Sequence, residues 1–256
     1  MLDWIAVVSG FGVGAIVGIT GVGGGSLMTP LLLSVFKLNP AVAIGTDLFF
    51  AALTKVSGSV AHARHGHVKW RITGLLLAGS IPASLATVAL MHLTGITKGW
   101  ASTLTFSLGI ALLLTAVVVA FKQSWAALGL KLERYVTPER QPALTVIAGV
   151  ILGVLVSLSS IGAGAIGATL ILLIYPRLST RHIVGTDIAH AVPLTLVAGL
   201  GHATLGNVDW ALLVPLVIGS LPGIWLGAQL TRRLPDGVVR ALLCASLLTA
   251  GWKVIH

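Results

Sequence analysis

Only 7 of the 256 residues are acidic, and two of them, Asp47 and Asp187, each follow a Gly-Thr pair inside an apolar run. An ionisable group in an apolar membrane helix is costly and by default points into a polar interior. Asp47 and Asp187, with Lys55 and His190 nearby, are therefore the candidates for chemistry. From Asp47, steps of three and four residues reach Ala51, Thr54, Gly58 and His62, which form one small, polar helix face with Lys55 at its margin. The same steps from Asp187 reach Ala191, Leu194, Ala198 and His202, with His190 a turn past the acid and Pro193 where a kink is expected. Two plainer roles stand beside these: an aspartate near a helix N-terminus can simply cap it, and His62 and His202, closing their helices, can serve as anchors or C-terminal charges.

A second feature points to what such a site would hold. The stretch Gly21-Val22-Gly23-Gly24-Gly25-Ser26 breaks two short apolar runs, and Ser160-Ile161-Gly162-Ala163-Gly164-Ala165 does so again at the same relative place. A glycine-rich break at the start of a helix leaves backbone N–H groups unpaired with the positive end of the helix dipole behind them, a ready anion site. The expected ligands are the backbone around Gly23, Gly24, Gly25, Gly162, Ala163 and Gly164, helped by Ser26, Thr46, Thr186 and the charge of Lys55. A carboxylate facing an anion must be protonated or paired, so Asp47, Asp187 and His190 are expected to couple ions rather than to bind substrate directly. The scattered glycines Gly10, Gly14 and Gly18, at four-residue spacing, are expected to serve close helix packing.

Other chemistries find little support. The turn His62-Ala63-Arg64-His65-Gly66-His67 has the spacing of no closed zinc site, and Arg64 would repel a cation, so it reads as a solvated basic turn and no metal is expected. The sequence lacks a P-loop and the helical His-Glu-x-x-His motif, and no catalytic triad can be read from spacing. Neither an enzyme nor a bound cofactor is expected. The lone Cys244 excludes an internal disulfide.

The elements that must position these residues are membrane helices. The chain is 56% hydrophobic and 9% charged, against about a quarter charged in soluble domains. Apolar segments run from about 4 to 19, 26 to 36, 41 to 62, 71 to 92 and 99 to 121, and again from about 142 to 159, 165 to 176, 182 to 204, 209 to 231 and 238 to 255. The two sets correspond. Gly10, Gly14, Gly23 and Gly25 match Gly149, Gly153, Gly162 and Gly164; after one added residue, Gly45-Thr46-Asp47 matches Gly185-Thr186-Asp187 and His62 matches His202. This is an internal duplication, dividing the chain into repeat 1 (residues 1–121), a basic linker (122–141) and repeat 2 (142–256).

The first two segments of each repeat are too short for ordinary crossings, since 16 residues of helix reach only about 24 Å of the roughly 30 Å required. A glycine-tipped re-entrant hairpin, or two short spans, followed by three transmembrane helices is the expected repeat. The turn after His62 carries Arg64, Lys69 and Arg71, whereas its counterpart after His202 holds only Asp209, so the repeats are expected to be inverted. Lys122, Lys131, Arg134, Arg140, Arg177, Arg181, Arg232, Arg233 and Arg240 lie in loops that fall on the same cytoplasmic side, which places both termini outside. The net charge of +9 therefore sets topology and implies no nucleic-acid partner. Met1-Leu2-Asp3-Trp4 carries no basic leader, and it is read as the start of the mature protein. Gly10, Gly14 and Gly18 also offer a face on which two copies could meet as a homodimer.

Taken together, Gly-Phe-Gly-Val-Gly from Gly10, the Gly-Val-Gly-Gly-Gly tip, Pro30 with its leucines, Ala43-Ile44-Gly45-Thr46, the turn from His62 to Gly66, Val68-x-Trp70-Arg71 and Gly79-Ser80-x-Pro82 resemble the TauE/SafE sulfite exporter family of membrane permeases. The resemblance covers essentially the whole chain. It implies a duplicated, inverted bundle in a bacterial inner membrane, surrounded by lipid. The function it implies is secondary transport of small sulfur-containing anions, such as sulfite, sulfoacetate or related organosulfonates, usually as export. Alternating access with proton coupling is the mechanism expected. Two rivals stand beside it: a divalent metal cation permease using Asp47, Asp187 and His190, and a non-transporting scaffold or sensor whose glycines only pack.

Overall fold

A computed structural model of the protein describes residues 3–20, 25–94, 98–230 and 236–255. Gly23 and Gly24 of the first glycine tip, with Arg232 and Arg233, lie outside the described residues. The described residues form helices α1 (Trp4–Thr20), α2 (Gly25–Ser34), α3 (Pro40–Arg64), α4 (Trp70–Thr94), α5 (Lys98–Ala120), α6 (Lys122–Leu132), α7 (Gln141–Ser159), α8 (Ala165–Ile174), α9 (Thr180–Thr204), α10 (Trp210–Leu230) and α11 (Asp236–Ile255). Among the described residues, six stretches are long and apolar enough to cross a membrane: α3, α4, residues Ala101–Ala120 of α5, α7, α9 and α10. α7, the first segment of the second half, is among them, against the expectation that it would fall short; the remaining opening helices are shorter. α1 has 17 residues, and α2 and α8 have 10 each.

Local chemistry sets the helix ends. Asn39 precedes α3 in an extended conformation, and its side chain accepts the Val42 N–H at 2.9 Å, with Pro40 pre-set for the first helical position. α7 stops at Ser160, whose left-handed backbone (φ 59°) closes the last turn through its N–H to the Val156 carbonyl. One element differs from the sequence reading: the linker contains α6, which packs along α8. Lys122, Gln123 and Lys131 make that stretch look like polar connection, although Trp125, Ala126, Ala127 and Leu130 supply an apolar content fit for an interface.

The bundle is assembled from helix pairs that join the two halves. α1 runs parallel to α10 at backbone contact: a Cβ on Gly10 would lie 2.2 Å from the Leu216 carbonyl oxygen, one on Gly14 2.4 Å from that of Ser220, and one on Gly18 2.3 Å from that of Ile224. α7 runs parallel to α4 in the same manner, with Gly149 against Leu76 and Gly153 against Ser80, at 2.2 and 2.3 Å. Small residues let helices approach this closely where lipid supplies no hydrophobic drive. The face of Gly10, Gly14 and Gly18 is thus covered within the chain by α10.

α3 and α9 cross antiparallel at the centre. The beginning of α3 meets the end of α9, where a Cβ on Gly45 would strike Asn207 O at 1.9 Å, and the beginning of α9 meets the end of α3, where one on Gly185 would stand 2.9 Å from His67 O. Two reciprocal hydrogen bonds fix the crossing. Thr46 Oγ1 accepts the Asp209 N–H at the start of α10 (2.9 Å), and Thr186 Oγ1 accepts the Lys69 N–H at the start of α4 (3.0 Å). These contacts also set direction. α1 begins at the same end of the bundle as α3, and α7 at the same end as α9, so the chain between them must double back.

Candidate functional site

The polar residues of the two long central helices converge on the second glycine tip. Gly162 and Gly164 hold φ values of +130° and +142°, a region that side-chain-bearing residues rarely adopt. Their conformation turns the Ala163 carbonyl toward α3, where it accepts a hydrogen bond from Lys55 Nζ at 2.8 Å. Asp187 and Asp47 are both near enough for their charges to act on Lys55, although neither forms an ion pair with it. Its counterpart in the second repeat is Thr195, a buried residue whose hydroxyl bonds back to the Ala191 carbonyl, so the site holds a single cation.

Each aspartate meets a different element. Asp47, fully buried, accepts a short hydrogen bond from the Thr29 hydroxyl of α2, with Ser160 of the tip close by. Asp187 faces the Gly164 amide and the first turn of α8, so closely that a Cβ on Gly167 would stand 2.0 Å from its Oδ1. Gly167 is thus part of the site because it has no side chain. His190, one turn beyond Asp187, is also fully buried and pairs its Nε2 with Ser80 Oγ of α4 at 2.9 Å.

Several buried polar atoms here have no hydrogen-bond partner: Asp47 Oδ1, Asp187 Oδ1, Ser160 Oγ and His190 Nδ1. A buried orphan costs about 1–3 kcal/mol, so each of these atoms calls for a ligand, a proton or water to complete it. Among the described residues, no group of three or more His, Cys, Asp or Glu side chains is placed to hold a metal ion.

The residues expected from sequence separate into two groups. Lys55, Asp47, Asp187, Gly162, Ala163 and Gly164 come together, His190 lies behind them, and Gly25 and the buried Ser26 begin α2, the helix that presents Thr29. Thr46 and Thr186 are buried too, but their hydroxyls bind backbone N–H groups at the two ends of the α3–α9 crossing. Thr29, Ser160 and Gly167 were missed. Ser160 sits within the quoted tip, whereas Thr29 and Gly167 lie in ordinary apolar helix and become legible only through contacts across the chain. His202, placed by the sequence either on the polar face of its helix or at an anchoring helix end, is fully buried, with Nε2 2.9 Å from the Ser157 carbonyl, and Ser157 Oγ bonds to Ser84 at 2.8 Å.

The basic turn forms a separate cluster at one end of the bundle. His67 packs its ring against His62, His65 and His182, at centroid separations of 5.6, 5.8 and 5.9 Å. Outside the spanning segments, His67 is held below the ordinary imidazole range by its partial desolvation, then by His182, His65 and Arg181.

Among the described residues, an all-helical bundle with apolar spans, a glycine break between α7 and α8 and ionisable groups gathered in its interior is the arrangement of a membrane transporter. The family model for the sulfite exporter TauE/SafE matches residues 6–254, and the chain belongs to that family. It is 34% identical to the probable membrane transporter protein YjnA of Bacillus subtilis (strain 168), over 97% of this chain and 98% of that one. It is 30% identical to the probable membrane transporter protein YdhB of the same organism, over 94% and 95%, and 28% identical to a probable membrane transporter protein of Xylella fastidiosa (strain Temecula1 / ATCC 700964), over 90% and 85%. No solved structure matches.

Proposed function

We propose that the protein is a secondary transporter for a small sulfur-containing anion such as sulfite, sulfoacetate or a related organosulfonate, working by alternating access between two inverted repeats. The observation that carries this reading is the placement of Lys55, on repeat 1, against the Ala163 carbonyl at the tip of repeat 2, with Asp47 and Asp187 near enough to feel its charge. A cation held between the halves by a contact that must break when they rock is suited to binding an anion in alternation. Reciprocal contacts support the inversion: Thr46 with Asp209 against Thr186 with Lys69, and α1 on α10 against α7 on α4. The doubling back between α1 and α3, and between α7 and α9, supports re-entrant hairpins whose glycine tips line a wet cavity.

Coupling follows from the charges. Asp187 already lies at the Gly164 amide, the position an anionic substrate would take. Protonation of Asp187 frees that amide and turns the carboxyl into a donor, and protonation of Asp47 leaves Lys55 as the uncompensated charge. One anion and at least one proton then move together. The divalent-cation reading fares worse, because Lys55 adds a positive charge close to both aspartates.

The test is flux of labelled sulfite and sulfoacetate into liposomes containing the purified protein, with and without a pH gradient. Lys55→Gln is expected to lower anion flux at least tenfold while the protein remains folded. Flux unaltered by Lys55→Gln, or indifferent to the gradient, overturns the reading; flux of nickel or cobalt without anion flux assigns the aspartates to a metal instead.

A further inference from the structure

A cavity of about 410 Å³ opens at the basic end of the bundle, away from Lys55 and the aspartates. It lies between the entry to α4 (Lys69, Trp70, Arg71), the start of α7 (Gln141, Pro142) and the loop between α8 and α9 (Tyr175). Its volume falls in the range of small-ligand clefts, about 300–1,000 Å³. Its lining contains two cations and no carboxylate. Lys69 and Arg71 are exposed, and among the described residues neither joins a salt bridge, the one ion pair being Arg177 with Glu133. The other polar groups of the wall are engaged: Gln141 Nε2 donates to the Ile174 carbonyl and the Tyr175 hydroxyl bonds to Thr145. Lys69 and Arg71 therefore remain for a ligand, and their charge selects an anion.

The surroundings specify which kind. Trp70, 64% exposed, stands at the start of a spanning helix, the depth at which tryptophan marks the lipid headgroup layer. From the cavity, α7 continues along the bundle with an exposed apolar stripe of Ile147, Val150, Ile151 and Val154. A charged head-group site at the interface, with an exposed apolar face on the same helix beside it, matches a phospholipid rather than a free ion. The corresponding place in the other half reads Val208-Asp209-Trp210-Ala211, where the cations are replaced by an acid and an alanine. The feature is thus one-sided, as expected where only the cytoplasmic leaflet presents a strongly anionic surface.

We propose that this cavity is a binding site for an anionic glycerophospholipid, with Lys69 and Arg71 holding the phosphodiester and the acyl chains lying along α7. The experiment is native mass spectrometry of the delipidated full chain in detergent, titrated separately with phosphatidylglycerol, phosphatidylcholine and soluble glycerol phosphate. Phosphatidylglycerol is expected to be retained in preference to phosphatidylcholine. Lys69→Gln and Arg71→Gln should each weaken that retention about fivefold, the ratio given by about 1 kcal/mol per interfacial charge. Lys37→Gln, which removes the same charge at an exposed position near the start of α3, should leave retention unchanged. Equal loss in Lys37→Gln, no loss in the two cavity variants, or no preference for the anionic lipid overturns the site. Glycerol phosphate binding as tightly as the lipid overturns the lipid assignment and makes the cavity a site for soluble anions.

Discussion

Gly10→Ala and Gly12→Ala place the same methyl group two residues apart on α1, and the structure assigns them opposite outcomes. A Cβ on Gly12 meets nothing within 4 Å, whereas one on Gly10 would lie 2.2 Å from the Leu216 carbonyl oxygen of α10. Such contacts are essentially never under 3.0 Å, so the seam must open by about 0.8 Å, and the obstacle is backbone that cannot rotate away. Opening disturbs Gly14 and Gly18 as well, since their own contacts with Ser220 and Ile224 are equally close. Overpacking of this kind costs roughly 1–3 kcal/mol. Alanine recovers up to about 1 kcal/mol of helix propensity at either position. The expected result is a net loss of about 1–2 kcal/mol for Gly10→Ala and a neutral or slightly stabilising Gly12→Ala. Gly149→Ala, against Leu76 at the matching seam between α7 and α4, should behave like Gly10→Ala. Reversible unfolding in mixed micelles, read by circular dichroism across an SDS titration, measures all three. If Gly10→Ala and Gly12→Ala are indistinguishable, helix contact at the seam does not determine stability and the reasoning fails.

Thr46→Val and Thr186→Val each remove the acceptor of a backbone N–H at the start of α10 or α4, and each should cost about 1 kcal/mol by the same unfolding assay; an effect from one and not the other would contradict the reciprocal geometry. His67, titrated by NMR of selectively labelled protein, should show a midpoint below 6.5, and His182→Ala should move it upward. Because its folded value is lowered, the unfolded chain binds more protons in the interval just under pH 6.5, so stability falls as pH drops through that interval and is flat above it. A midpoint at or above 6.5 in the native protein would refute the clustering of His62, His65, His67 and His182.

What could be read in advance tracks how local the cause is. Close packing by Gly10, Gly14 and Gly18 was legible because small residues at four-residue spacing make a flat helix face, but the partner, α10, was not, because nothing local names a helix about 200 residues away. Asp47, Lys55 and Asp187 were legible as costly charges in apolar helix. Thr46 and Thr186 carried the same local signature as site ligands, and only the α3–α9 crossing shows that their hydroxyls hold the ends of α10 and α4. His202 illustrates the limit most clearly: its position closing α9 is the same as that of His62 closing α3, yet one is fully buried against Ser157 and the other is half-exposed in a basic turn. Their difference lies in the neighbours each repeat packs against them.

The pairing of α1 with α10 and of α7 with α4 also bears on how the protein is made. Synthesis delivers α1 first, but the helix that covers its glycine face begins at Trp210, when most of the chain has already been threaded into the bilayer. Until then α1 has no permanent neighbour, and the nascent first half must wait in lipid or beside an insertion factor with its closest-packing surface open. The same interlock means that neither half is complete alone. Each seam closes only when a helix from one half of the chain meets a helix from the other.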